Sequence, residues 1–221
     1  MRLVAKIVIW FVVLSVAITA LYRVVPPPVT VTMITDANGI TKDWEPLENI
    51  DRNMVAAAIG AEDSKFCSHD GFDSDAIESA MKRNAEGGRL RGGSTISQQT
   101  AKNVFLWQGE GWTRYLRKGL EVWFTFLVEA LWDKRRIMEV YLNVAETGIG
   151  TYGVEAGAQR YFGKSAANLS RLEAARMAAA LPSPKTRSVK NPHGFVRRYG
   201  STIAARINTV RASGYDACVY Q

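Results

Sequence analysis

Arg91-Gly-Gly-Ser-Thr-Ile-Ser-Gln-Gln-Thr-Ala-Lys102 is the stretch around which the rest of the chain is organised. Its two glycines free the backbone for positive φ and allow another group to approach closely. Ser94 and Thr95 then stand where a helix running to Leu106 needs its N-terminal cap. A glycine-rich loop that feeds a helix start gathers amides, hydroxyls and the ammonium of Lys102 on one side. That is a place for an anion or a hydroxyl-rich ligand. It is not a P-loop, because G-x-x-x-x-G-K-[ST] is absent. A capped surface turn uses the same residues, so the flanking sequence has to decide.

Outward from this stretch the pattern is helical. Helices are expected at Asn49–Asp63, Asp75–Ala85, Ser94–Leu106, Thr113–Trp132, Lys134–Glu146, Gly153–Phe162, Arg171–Leu181 and Phe195–Ala212. Ser170-Arg-Leu-Glu173 is a capping box, and Pro182 and Pro184 end the helix that it opens. Val29–Thr35 alternates Val and Thr, which reads as a short strand closed by the turn Asp36-Ala-Asn-Gly39. Strand signals are too few for a sheet-based fold, so an all-α domain is expected.

The 221 residues fit one domain and an appendage, with a formal charge of +7. Such a surface suits nucleic acid, anionic lipid or a phosphorylated substrate. The N-terminus narrows the choice. Leu3–Val25 is almost wholly apolar and as a helix would measure about 34 Å, against a hydrocarbon core of about 30 Å. Arg2 and Lys6 come first and no acid appears before Asp36, which leaves the N-terminus inside and everything after Pro28 outside. A cleaved signal peptide would deliver the domain to the same side. Residues 1–28 are therefore expected to form an anchor and a stiff Pro26-Pro27-Pro28 spacer, and residues 29–221 the working domain. Cys67 and Cys218 are the two cysteines; two so far apart make no framework, and free, partly buried thiols are the expectation.

Three segments can carry chemistry. Glu62 and Asp63 close an apolar, small-residue helix, where the helix dipole and desolvation both raise a carboxyl pKa towards that of a general acid or base, although a solvated pair ending an ordinary helix uses the same residues. Arg114, Arg117 and Lys118 open another helix, with Glu121 one turn on. Cations at a helix start call for a bound anion or a nearby acid. Tyr141-Leu-Asn-Val-Ala-Glu-Thr-Gly-Ile-Gly-Thr-Tyr-Gly153 and Tyr161-Phe-Gly-Lys164 bring glycines, an Asn and aromatic rings, as a carbohydrate cleft does and as structural turns also do.

Taken in order, Glu62-Asp-x-x-Phe66-x-x-His69-x-Gly71, Gly92-Gly-Ser-Thr-Ile-Ser-Gln-Gln99 with Lys102, Arg117-Lys-x-x-Glu121, and Tyr141-Leu-Asn143 leading to Tyr152-Gly153 and Tyr161-Phe-Gly-Lys164 resemble glycosyltransferase family 51, the peptidoglycan glycosyltransferases. The resemblance is narrower to the monofunctional biosynthetic transglycosylases and covers about Asn49 to Arg206. It implies a lysozyme-like helical fold at the outer face of the inner membrane. It implies an inverting transfer that joins lipid II to a lipid-linked glycan strand and releases undecaprenyl diphosphate. It further implies Glu62 as base and Glu121 as the second essential acid, organising the diphosphate directly or through a divalent cation (Mg or Mn), with no organic cofactor. Lys102, Arg114, Arg117 and Lys118 would face the leaving group. Thr95, Gln98 and Gln99 would hold sugar or phosphate oxygens, and Asp63, Phe66, His69, Gly71, Asn143, Tyr152 and Lys164 would complete the substrate site. Implied partners are the two lipid-linked substrates, the membrane and cell-wall synthesis proteins, and no nucleic acid. Two other readings share the composition: a lysozyme-type lytic hydrolase, and a basic membrane-tethered adaptor without chemistry.

Overall fold

The structure is a computed structural model and describes residues 2–87, 93–109 and 111–221. It begins with α1 (Arg2–Tyr22), an apolar helix long enough to cross a membrane, which ends just before the three prolines. The alternating Val-Thr stretch is not a strand. It forms the single-turn helix α2 (Val31–Ile34), because Thr30 caps it by accepting from the amide of Met33 and because Met33 is buried in the core.

After the two-residue strand β1 (Thr41–Lys42) come α3 (Arg52–Glu62), α4 (Ser74–Ala85), α5 (Ile96–Phe105), α6 (Thr113–Leu131) and α7 (Lys134–Val144). Two further short strands, β2 (Glu146–Gly148) and β3 (Thr151–Tyr152), precede α8 (Val154–Phe162), α9 (Arg171–Ala180), α10 (Gly194–Ala212) and α11 (Ala217–Tyr220). All eight expected helices are present. The first starts later than its pattern suggested, since the side chain of Asp51 accepts from Asn53 N and sets the cap there. The strands form a small sheet in the order β1-β3-β2, with β1 parallel and β2 antiparallel to β3. Two or three residues per strand are too few to leave a period of two in the sequence.

The helices pack in two groups. On one side α3 lies against α9 and α10, through buried Ala56, Ala57, Ala58, Ala174, Ala175, Ala178 and Ile203. Small side chains allow the axes to come close. On the other, α5 is held between α6 and α7, with Ile96, Val128, Ile137 and Leu142 buried. The helix α1 leans on the outside of α6. The architecture is the lysozyme-like, all-α one that the resemblance implies.

The cysteines overturn the expectation of free thiols. Cys67 and Cys218 form a disulfide, with Cα atoms 5.6 Å apart. The bond ties α11 to the helical turn Phe66–Ser68, just behind the end of α3. The guanidinium of Arg52 stacks over the ring of Tyr220 at 3.9 Å and holds the same C-terminal segment.

Candidate active site

Between the two helical groups lies a cleft of about 1090 Å³. Glu62, the last residue of α3, enters from one side. Gln99 and Lys102 of α5, one turn apart, and Arg114, Arg117, Lys118 and Glu121 along one face of α6, enter from the other. Among the described lining residues seven are Lys or Arg and two are carboxylates, Glu62 and Glu121.

Glu62 accepts a hydrogen bond from Nε2 of Gln99 at 3.0 Å. Burial raises its pKa; the bond from Gln99 and the charges of Arg187 and Lys102 oppose that rise, while Asp63 adds to it. Lys102 is moved the other way. Burial depresses its pKa, and Arg117 and Lys118 push in the same direction, against the pull of Glu121 and Glu62. Glu121 is almost fully buried. It accepts from Arg117 Nη1 at 3.0 Å and from Lys118 Nζ at 2.5 Å, so both oxygens are occupied. No group of three or more His, Cys, Asp or Glu residues suited to a metal occurs among the described residues. A single acid already committed to two cations does not fit a resident divalent ion.

Several residues implied as substrate contacts lie behind the cleft and hold its walls. Asp63 accepts from Ile96 N at 3.0 Å and pairs with His69 Nε2 at 3.0 Å. Gly71 N donates to His69 Nδ1, so the imidazole proton sits on Nε2, facing Asp63. Phe66 is fully buried under the ammonium of Lys134, at 4.8 Å from the ring centroid. Gly71 has φ +89°, and a Cβ there would come within 2.8 Å of Thr125. Thr95 and Gln98 form a capping box, and Thr95 Oγ1 also donates to Gly71 O at 2.6 Å. Asn143 bridges Glu45 and Glu139. Tyr152 donates to Asp36 at 2.7 Å, and Lys164 pairs with Glu173 at 2.6 Å. Each is committed to a partner inside the scaffold, and none lines the cleft.

Of the glycine-rich loop, Arg91 and Gly92 lie outside the described residues. Gly93 does not adopt positive φ. It is needed because a Cβ would stand 3.2 Å from the backbone of Ala76 and Ile77, so the close approach is to α4 rather than to a ligand. Ser94 does line the cleft.

The wall made by α10 and the segment before it went unnoticed in the sequence. Tyr199 donates to the carbonyl of Ala61 at 2.8 Å and Arg206 to that of Gly60 at 2.9 Å. These are carbonyls that the end of α3 leaves unpaired, immediately before Glu62. Arg187 stacks on Phe195 at 4.2 Å and lends its charge to Glu62. The clustering of arginines after Pro184 was the available signal.

Residues 30–208 match the family model described as Transglycosylase. The chain belongs to that family. It is 48% identical over 223 residues to the biosynthetic peptidoglycan transglycosylase of Rhodospirillum centenum, covering 99% of this chain and 95% of the relative. It is 50% identical over 202 residues to that of Caulobacter vibrioides, covering 90% and 87%. To that of Pseudomonas aeruginosa it is 45% identical over 207 residues, covering 90% and 88%. This transglycosylase is thus a glycosyltransferase whose cleft sets a half-buried, hydrogen-bonded carboxylate, Glu62, against a strongly cationic wall.

Proposed function

We propose that this transglycosylase polymerises lipid II into β-1,4-linked glycan at the outer face of the inner membrane, with α1 as its anchor. The observation that carries the reading is the opening of Glu62 and Lys102 onto one cleft. Glu62 removes the proton from the accepting 4-hydroxyl as that oxygen bonds to the anomeric carbon of the growing strand. The bond from that carbon to undecaprenyl diphosphate breaks on the opposite face, which inverts the centre. A raised pKa makes Glu62 a stronger base than an ordinary carboxylate. Lys102, Arg114, Arg117 and Lys118 take up the charge that develops on the departing diphosphate. Glu121 keeps Arg117 and Lys118 in place. A divalent cation would enter with the diphosphate, since the described residues hold no group of three or more His, Cys, Asp or Glu suited to one.

A lytic hydrolase has no need of a cationic pocket around a second acid, and an adaptor has no need of Glu62. The test is to supply the full chain in detergent with lipid II or with polymeric glycan. Consumption of lipid II is expected, with loss of activity in Glu62→Gln and Glu121→Gln. Breakdown of polymer with lipid II untouched would replace the polymerase by a hydrolase, and full activity of Glu62→Gln would remove its base.

A further inference from the structure

The loop of residues 63–71 joins the base to the opposite wall of the cleft. It follows directly on Glu62, and both of its ends hold the first turn of α5. Asp63 accepts from Ile96 N at 3.0 Å, and the carbonyl of Gly71 accepts from Thr95 Oγ1 at 2.6 Å. Gln99 and Lys102 stand one and two turns further along that helix. Within the loop, His69 Nε2 returns to Asp63 at 3.0 Å and Phe66 N donates to the carbonyl of Asp63 at 3.1 Å. The shape of this loop therefore sets where Glu62 lies relative to Gln99 and Lys102.

Behind the cleft the loop is clamped. Lys134 Nζ, on α7, donates to the carbonyl of His69 at 2.6 Å, and the Cys67–Cys218 bond ties the turn Phe66–Ser68 to α11. The helix α11 is itself held between α7, on which it packs, and the first residue of α3, since Arg52 stacks on Tyr220. The C-terminal segment is thus a strap that runs from the start of α3 to the loop at its end, and its last link is covalent. That link is within reach of solvent. Both cysteines are only half-buried, and Cys67 lines a surface groove of about 560 Å³ with Ser64, Lys65, Ser68, Gly214 and Tyr215. The ammonium of Lys65 favours an incoming thiolate, although Asp75 pairs with it at 2.7 Å.

We infer that the Cys67–Cys218 bond is a thiol-exchange site that switches the transferase, its opening by a dithiol slackening the loop that seats Glu62. This rests on the proposed reading of Glu62 as base and adds regulation to it. A thiolate of the dithiol attacks the sulfur of Cys67, the bond to Cys218 breaks, and Cys218 leaves as a thiolate that takes up a proton. The second thiolate of the dithiol attacks the mixed disulfide and releases Cys67. Both cysteines end reduced and the dithiol ends as a disulfide. Closed, the bond is the working state on an oxidising side of a membrane; a chain still in a reducing compartment lacks it and is held back. The two cysteines are positioning groups and touch no substrate.

The test takes the full chain in detergent, with dithiothreitol as the dithiol and the bond state counted by alkylation and mass. Rates are compared at a temperature where near-ultraviolet circular dichroism shows both forms folded. Opening the bond should lower kcat for lipid II by about tenfold with KM little changed, as a displaced group does. Re-oxidation with oxidised glutathione should restore the rate. Cys67→Ser/Cys218→Ser should be slow throughout and indifferent to dithiothreitol. Tyr220→Ala, which keeps the bond and frees the other end of the strap, should open faster and lose less of its kcat. A bond that resists dithiothreitol in the folded chain, an opened form that works at the parental kcat, or a loss confined to KM would overturn the inference alone. An oxidised parent that leaves lipid II untouched would overturn the polymerase reading and the switch with it.

Discussion

Glu62 and Lys102 share one cleft, and the burial that raises the proton affinity of the carboxyl lowers that of the ammonium. Proton abstraction by Glu62, with Lys102 facing the diphosphate, needs the first without its proton and the second with one. The rate should therefore follow a bell in pH, with its acid limb above the ordinary carboxylate range and its alkaline limb below that of a free lysine. Lys102→Arg should move the alkaline limb upward, because a guanidinium does not titrate there. The check is the pH profile of kcat/KM for lipid II in detergent.

Removing the charge of Glu62 should cost about 10²–10⁴ in rate, the usual worth of general base catalysis. The same change should stabilise the fold near neutrality. The folded protein favours the protonated carboxyl. Its buried charge thus becomes a cost as pH rises through the raised pKa, and that cost is absent in acid, where the group is protonated folded or unfolded. Glu62→Gln should melt above the parent at pH 7, with the gap closing below the ordinary carboxylate pKa. Calorimetry at both pH values reads this directly.

Glu121→Gln is expected to act in the opposite sense. It leaves Arg117 and Lys118 without their counter-charge in a largely buried setting, and breaking a buried pair costs about 3–5 kcal/mol. Because Lys118 is half-exposed, the lower end of that range is the expectation, read by urea denaturation. Activity should fall with it, since the two cations lose their fixed positions.

Tyr199→Phe removes the donor that closes the carbonyl of Ala61, beside the base. About 1 kcal/mol of stability should go with it, and kcat should fall more than KM rises, because the loss is in the placing of Glu62. Steady-state kinetics separate the two. An unchanged kcat would deny α10 its positioning role.

What could be read from the chain alone was what is local. The capping box of Ser170 and Glu173 and the spacing of Arg117, Lys118 and Glu121 on one helical face depend on neighbours within a turn. The roles of Thr95 and Gln98 were less legible, since a residue that caps a helix and one that holds a ligand look alike until the cap is seen to be filled. Cys67 and Cys218 lie 151 residues apart, so their meeting depends on where α11 docks, which no local pattern records. Tyr199 and Arg206 serve Glu62 only because α10 packs on α3. Val29–Thr35 has the composition of a strand, and one threonine cap with a buried methionine outweighs it.

Reducing the Cys67–Cys218 bond, or replacing both residues by Ser, should lower stability by about 2–5 kcal/mol, as for bonds that close long loops. Denaturation with and without a reductant measures it.

The seating of α1 also bears on how the protein can be handled. A shortened chain beginning at Val29 would bare the indoles of Trp123 and Trp132 and the ring of Phe124, and would leave Arg136 with no carbonyls to bind. A greasy stripe of this kind invites self-association. Such a truncated product should clump in plain buffer and disperse with surfactant, so the amphiphile would have to stand in for the missing helix in any attempt at purification or crystallisation.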